Sequence, residues 1–135
     1  MADRSPLESV PLFAGLPAKQ RRSLEAHLHR REIPAGSPIL TEGEGGIAFF
    51  VLLEGEAVVS RRGREIRRLG PGDHAGEMAL IDGDVRSATV TAETDAVVLG
   101  LSQLSFRPFV RDNPDVAWAL MRMLVDRLRQ AERAA

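Results

Sequence analysis

The sequence contains no cysteine, which excludes disulfides, cysteine-ligated zinc and thiol nucleophiles and fits a reducing cytoplasm. An excess of one charge is also absent, because 18 Lys and Arg stand against 19 Asp and Glu, for a net charge of −1. Proteins that bind a phosphate backbone usually carry a basic excess. We therefore expect no direct contact with nucleic acid.

Long apolar runs and targeting signals are also missing. The longest apolar run, residues 47–53, is far too short to span a bilayer, and residues 1–10 lack the basic start and apolar core of a secretory signal. The sequence contains no glycine-flanked serine elbow, and no carboxylate pair stands out. These motifs therefore give no indication of catalysis. We expect a cytoplasmic protein that does not associate with membranes and is not an enzyme.

The length and composition indicate one domain. A chain of 135 residues with 44% hydrophobic and 27% charged residues can build one core but not two. We predict a single domain over residues 1–135, with a helical part at 11–28, a β part at 29–102 and C-terminal helices at 103–134. No effector or DNA-binding domain is expected after the last helix.

The middle of the chain has the pattern of short strands broken by glycine and proline. A tight basic hairpin is expected at Arg62-Gly63-Arg64. Close spacing of short strands is typical of a closed or double-sheet structure. The sequence therefore predicts a mainly β fold with flanking helices, a double-stranded β-helix or jelly-roll barrel. The predicted strands are residues 39–40, 47–53, 57–59, 66–69, 88–92 and 96–99.

Helices are predicted at both ends. After a turn at residues 12–17, Leu24 and Leu28 share one apolar face, while Lys19, Arg21, Arg22 and Glu25 are expected to face water. Asn113 and Pro114 are typical of a helix start. The long last helix then carries Val116, Leu120, Leu124 and Leu128 at fourfold spacing, and residues 105–113, interrupted by Pro108, connect it to the barrel.

The stretch 70–91 contains the residues best suited to bind a small ligand. Gly76 lets backbone approach closely, and the Glu77 carboxylate can accept a hydrogen bond from a hydroxyl. Residues 78–81 can form one helical turn whose free N–H groups favour an anion. Arg86 offers a planar double donor for a phosphate, Ser87 adds a hydroxyl, and Ala88 keeps the wall thin. These groups match a ligand that carries both a hydroxyl and a phosphate.

At these residues the chain resembles the cyclic-nucleotide-binding family, whose phosphate-binding cassette reads roughly Gly-Glu-x-Ala-Leu and then Arg-x-Ala. Here the cassette, residues 75–88, contains Gly76-Glu77-Met78-Ala79-Leu80 and Arg86-Ser87-Ala88. Weaker likenesses extend over nearly the whole chain, at residues 12–16, 34–43, 70–73 and 113–114.

The resemblance implies the role of each site residue. Glu77 would bind the ribose 2′-hydroxyl, Arg86 an exocyclic phosphate oxygen, and Ser87 the phosphate or a guanine. The backbone N–H groups of Ala79 and its neighbours would bind the phosphate, and Arg127 would lie against the base when the last helix closes. The implied ligand is cAMP, or less readily cGMP, and no cofactor or metal is expected. The predicted ligand-binding residues are Gly76, Glu77, Met78, Ala79, Leu80, Arg86, Ser87, Ala88 and Arg127.

The resemblance also implies a regulatory output through the last helix. Its partner would be a separate effector protein or a second copy of the chain, contacted by the apolar stripe. Trp118 is expected in the core or an interface, with stacking on the base as a further option. One departure is visible: Ala75, preceded by His74, stands where many members have an aromatic or bulky apolar residue.

Other interpretations of the same residues stay open. Glu77 and Arg86 can form an ordinary surface ion pair, and a domain of this fold can bind only protein. His27 and His29, with Glu32 and His74, suggest the metal site of a cupin-like enzyme, although further convergent ligands are lacking. The basic residues at 61–68 fit a solvated hairpin better than a nucleic-acid surface, because no aromatic residue lies among them.

Overall fold

A computed structural model describes residues 5–40, 47–82 and 88–134. Short helices precede the strands, one helix interrupts them, and two helices close the chain. The helices are α1 (Pro11–Ala14), α2 (Ala18–Glu25), α3 (Glu77–Asp82), α4 (Gln103–Asp112) and α5 (Pro114–Ala134). The strands are β1 (His29–Ile33), β2 (Pro38–Leu40), β3 (Ile47–Glu54), β4 (Ala57–Arg61), β5 (Arg64–Leu69), β6 (His74–Ala75), β7 (Thr89–Ala92) and β8 (Ala96–Ser102).

Within the described ranges the strands form two 4-stranded sheets, in the orders β1-β8-β3-β6 and β2-β7-β4-β5. Every strand pairing within these two sheets is antiparallel. Side chains from both sheets share one interior cluster, so the sheets pack face to face. This arrangement, with its flanking helices, confirms the predicted jelly-roll fold.

Strand β3 is buried on both faces over residues 49–52, which explains the continuous apolar sequence there. Phe50 and Leu52 point into the space between the sheets, whereas Phe49 and Val51 point outward under the helices. Successive side chains of a strand alternate between faces, so a strand covered on both sides needs apolar residues throughout. Strand β3 therefore joins an inner cluster between the sheets to an outer cluster beneath the helices.

The turn between β4 and β5 is the predicted basic hairpin. Arg62 and Gly63 have φ values of 53° and 79°, the left-handed pair that a two-residue hairpin turn requires. Strand β5 is exposed up to Leu69, and Arg68 forms ion pairs with Glu65 and Glu93. The cations of this hairpin therefore lie on a solvated edge strand, as the sequence indicated, and Arg68 has two acidic partners.

Two residues of α2 depart from the prediction that they face water. The Arg21 side chain is only 13% exposed, and its guanidinium donates to the Leu16 carbonyl at 3.2 Å and to Ser5 Oγ at 3.1 Å. Glu25 accepts from the Leu7 N–H at 3.1 Å. These polar contacts tie the N-terminal segment to α2, which a helical periodicity cannot reveal. The helix itself ends at Glu25, before Leu28.

The C-terminal helices correct two further expectations. Pro108 does not interrupt the connection to the last helix, because it lies inside α4. Helix α5 spans the predicted residues, but Trp118 is 67% exposed and does not belong to the core. Val116 and Leu120 are the fully packed residues of α5, while Leu128 is 62% exposed. Among the described residues, none of the helices combines the length and apolar character needed to cross a bilayer.

Candidate functional site

The chain enters the cassette through a turn that is bonded to β3. The Gly70 N–H donates to Asp73 Oδ2 at 2.8 Å, so the aspartate closes its own turn. Leu52 fixes this turn from β3, since its carbonyl accepts from the Gly72 N–H and its N–H donates to the Asp73 carbonyl, both at 2.8 Å. Strand β6 then pairs with β3, with His74 opposite Val51. The start of the cassette is thus held rigidly on the central strand.

Gly76 makes the turn from β6 into α3. Its φ of 90° lies in the left-handed region that side chains with a Cβ rarely adopt. Helix α3 begins at the next residue, Glu77, and the Ala79 N–H donates to the Gly76 carbonyl at 3.0 Å. A phosphate that bound the Ala79 N–H would therefore compete with a bond inside this first turn.

The apolar cassette residues pack into the two clusters on either side of β3. Ala79 and Leu80 are buried in the outer cluster, and Leu80 is completely inaccessible. Ala75 and Ala88 both pack against the inner cluster. These residues therefore fix the position of α3 relative to the barrel. The ligand contacts assigned to them by sequence stay predictions.

Glu77 lies against a histidine that the sequence prediction left out of the site. His74 Nδ1 lies 2.9 Å from Glu77 Oε2, and the two side chains are 22% and 14% exposed. Burial raises the pKa of Glu77, but the hydrogen bond and charge of His74, a backbone N–H and the charge of Arg127 together lower it below its ordinary value of 4.5. The Glu77 carboxylate is therefore mostly buried yet ionised, and remains a strong acceptor near neutral pH.

The lowered pKa of Glu77 predicts an acid-dependent contribution to stability. A group with a depressed folded-state pKa stabilises the fold above its unfolded value and loses that contribution as pH falls through the folded value. We expect the difference in unfolding free energy between the wild type and Glu77→Gln to shrink as pH falls below the ordinary value of 4.5. Urea unfolding at several pH values measures it. The exposed Glu132→Gln provides the control, and a pH-independent difference would contradict the prediction.

Arg127 on α5 lies close enough to Glu77 for its charge to act on the carboxylate. Its side chain is half-buried, and its charge lowers the pKa of Glu77. Helix α5 also passes close to α1, since a Cβ placed on Gly15 would lie 3.6 Å from Met123 Sδ. The structure therefore brings together Glu77, His74 and Arg127, of which the sequence prediction included the first and the last.

A cavity of about 430 Å³ lies between α3, α4 and α5. Leu80 and Ile81 line it from α3, and Leu120 and Leu124 from α5. Gln103 Nε2 donates to the Leu80 carbonyl at 3.5 Å, which connects the start of α4 to α3. The last helix is thus packed near the cassette without filling the space beside it.

Part of the predicted site lies outside the described residues. Arg86 and Ser87 fall in the segment 83–87, and Met78 is described only as a residue of α3. Within the ranges that are described, no group of three or more His, Asp or Glu side chains is arranged to hold a metal ion. The signal for His74 that sequence reasoning missed is its three-residue spacing from Glu77 across a glycine.

Comparison with known proteins identifies the kind of domain. Residues 30–113 match the family model described as the cyclic nucleotide-binding domain. The N-terminal domain of a transcriptional regulator from Streptomyces coelicolor A3(2) superimposes with a TM-score of 0.86, at 33% identity, over 97% of each chain. This similarity holds for the complete fold as well as for the cassette.

Two curated relatives are much longer than this chain. The cyclic AMP receptor protein of Thermus thermophilus is 33% identical over 131 residues, which are 93% of this chain and 61% of that protein. A cyclic nucleotide-gated potassium channel of Rhizobium etli is 35% identical over 119 residues, which are 88% of this chain and 33% of the channel. The shared part is therefore one domain of these larger proteins.

Proposed function

Because this chain belongs to the cyclic nucleotide-binding domain family, we propose that it binds cAMP as a regulatory module and does not itself catalyse a reaction. The observation that carries the proposal is the Glu77 carboxylate, which is 14% exposed, ionised and fixed at the start of α3. Such a group is a ready acceptor for a ribose hydroxyl. The name of the Thermus relative and the absence of cysteine further support a cytoplasmic cAMP receptor.

Calorimetric titration with cAMP and with cGMP tests this proposal. We expect saturable heat with both nucleotides and tighter binding of cAMP, with the nucleotide recovered unchanged by chromatography. A cGMP affinity ten times that of cAMP would reverse the base preference without removing the binding function. No heat and no thermal shift at millimolar concentrations of either nucleotide would contradict the function and favour a module that binds only protein.

We further propose that the ligand acts on α5. A ligand shifts a conformational equilibrium only by the difference in its affinity for the two states. Arg127 lies near Glu77, and the cavity beside Leu120 leaves room for α5 to pack more closely. In the nucleotide-bound state α5 would close over the ligand beside Glu77, and in the free state α5 would be released from this position.

Hydrogen exchange measures this movement. We expect the backbone amides of residues 115–134 to exchange up to about tenfold more slowly with saturating cAMP, because closure reduces local opening. The strand amides of β4, which are far along the chain from α5, provide the internal reference. Equal protection of the last helix with and without nucleotide would leave a passive binding module and remove the switch.

The output of the module is proposed to be a second copy of the chain, bound through the exposed face of α5. Trp118, Met121, Val125 and Leu128 are 46–67% exposed and follow the 3-4-3 spacing of a coiled-coil seam. Trp118 and Val125 lie on the side of the helix opposite the buried Val116 and Leu120, whereas Leu128 lies beside them and Met121 also borders the cavity next to α4. These exposed apolar residues support the proposal that α5 binds a partner as well as its own domain.

Sedimentation of the Val125→Glu variant tests this interface. A charge at the middle of an apolar seam loses the burial of the valine and must be desolvated, so we expect dimers to become monomers. Gln130→Glu, which adds the same single charge to an exposed residue of the same helix outside the seam, is the control. A wild type that stays monomeric with and without cAMP at high micromolar concentration would contradict a self-associating output and leave a separate effector protein as the partner.

A further inference from the structure

We propose that His74 is a positioning residue that aims the Glu77 carboxylate at the ligand and makes nucleotide affinity depend on pH. The inference rests on the proposed function, because it concerns how the same site is regulated. It concerns a histidine of this chain that directly precedes Ala75, the first residue of the cassette.

The position of the His74 ring is fixed by its surroundings. Its backbone is paired with Val51 on the central strand, and its ring centroid lies 6.2 Å from that of Phe49. The Gly76 turn then brings Glu77 back toward the ring, so that Nδ1 and Oε2 are 2.9 Å apart. Both side chains are mostly buried, at 22% and 14% exposure, so the contact is shielded from competing water.

The charged groups around this pair come from two further elements, α5 and β5. Glu77 on α3 makes the direct contact, and Arg127 on α5 acts on the same carboxylate. Arg67 on β5 donates from Nη2 to the His74 carbonyl at 3.3 Å. Phe49 on β3 contributes an uncharged ring. Protonation of the imidazole therefore adds its charge next to the carboxylate that is proposed to receive the ligand.

The two oxygens of a carboxylate allow it to serve His74 and the ligand together. His74 Nδ1 lies 2.9 Å from Oε2, close enough for the imidazole to orient the group, and further lone pairs of the carboxylate remain for a ribose hydroxyl. Imidazoles titrate between about pH 5 and 8. Because a cyclic nucleotide is an anion, it binds better when the pair is His⁺–Glu⁻ than when it is His–Glu⁻. The affinity should therefore increase as pH falls, until Glu77 itself becomes protonated.

Calorimetry with cAMP from about pH 5.5 to 8.5 tests the inference. We expect the Kd of the wild type to rise about three- to tenfold over this range, which corresponds to a ligand-linked change of half to one pH unit in the proton equilibrium. His74→Asn keeps a neutral amide donor and should bind with nearly constant affinity across the range. His74→Phe keeps a ring against Phe49 but removes the donor, and should bind more weakly at every pH.

His29→Asn is the matched control, because His29 is an exposed histidine on β1. It should retain the wild-type pH profile. Binding that is independent of pH in the wild type, or a profile that survives in both His74 variants, would overturn the role of His74 while the binding function stands. An absence of binding at every pH would overturn the proposed function and this inference with it. Thermal unfolding of each variant verifies that it is folded.

Discussion

Replacing Gly55 with alanine is expected to cost more than about 3 kcal/mol of unfolding free energy. Gly55 joins β3 to β4 with a φ of 91°, and a Cβ at this position would lie 2.4 Å from the Asp95 carbonyl oxygen and 2.9 Å from the Ala96 Cα. Both are backbone atoms, so no side chain can rotate away to relieve the overlap. One of the two turns must move.

The turns that would have to move are bonded to each other. The Glu56 N–H donates to Thr94 Oγ1 at 3.0 Å, and the Glu56 carbonyl accepts from the Glu93 N–H at 2.8 Å. Separating the turns to admit a methyl group therefore weakens hydrogen bonds as well as packing. This is the physical reason for expecting a loss larger than that of an ordinary Gly→Ala change.

Gly36→Ala separates the effect of the backbone angle from that of the contact. Gly36 has a φ of 86°, close to that of Gly55, but its added Cβ would meet nothing within 4 Å. We expect it to cost about 1–2 kcal/mol, the usual penalty of a left-handed residue. Denaturant unfolding of both variants measures the difference. Equal losses would show that the contact with Asp95 is unimportant.

The parts of the fold that the sequence predicts are those with strong local signals. The apolar run of β3, the Arg62-Gly63 turn and the fourfold spacing of α5 each restrict the chain by themselves. Strand β1 has no such signal, because of its residues only Ile33 is buried. It forms at the edge of its sheet by pairing with β8, a partner more than sixty residues away along the chain. Tertiary pairing of this kind leaves no pattern in the strand itself.

At Pro108, tertiary packing overrides the rule that proline interrupts a helix. Inside a helix, proline leaves the carbonyl four residues earlier without its donor, here that of Leu104. Leu104 is 87% exposed, on the side of α4 where water can satisfy that carbonyl. The opposite side is anchored by the buried Phe106 and Phe109. Packing of these two rings therefore supports a helix that the sequence alone would divide.

The candidate site could be predicted as a motif but not as a network. The cassette pattern identifies Glu77, yet nothing in the pattern states which groups hold the carboxylate in place. His74 reaches it only because of the turn at Gly76, and Arg127 only because α5 folds back over α3. Contacts that depend on a turn and on the return of a distant helix become visible only in three dimensions.

Replacing Arg86 with alanine is expected to weaken cAMP binding by about tenfold to 150-fold, the range of a lost hydrogen bond to a charged group. Sequence resemblance assigns Arg86 to an exocyclic phosphate oxygen. The phosphate is common to both nucleotides, so the loss should be equal for cAMP and cGMP. Titration calorimetry of the variant with each ligand measures it. A loss confined to one nucleotide would indicate a contact with the base instead.

The chemistry of the guanidinium supplies a stricter test of the same assignment. Lysine keeps the charge but not the planar pair of donors that matches a phosphate, so Arg86→Lys should recover only part of the lost affinity. Arg64→Ala, which removes an exposed arginine from the β5 hairpin, changes the net charge equally and should bind as the wild type does. If Arg64→Ala weakened binding as much as Arg86→Ala, the effect would be long-range attraction of the anion. If Arg86→Ala bound with wild-type affinity, the phosphate would be held elsewhere, and the cassette assignment would be wrong.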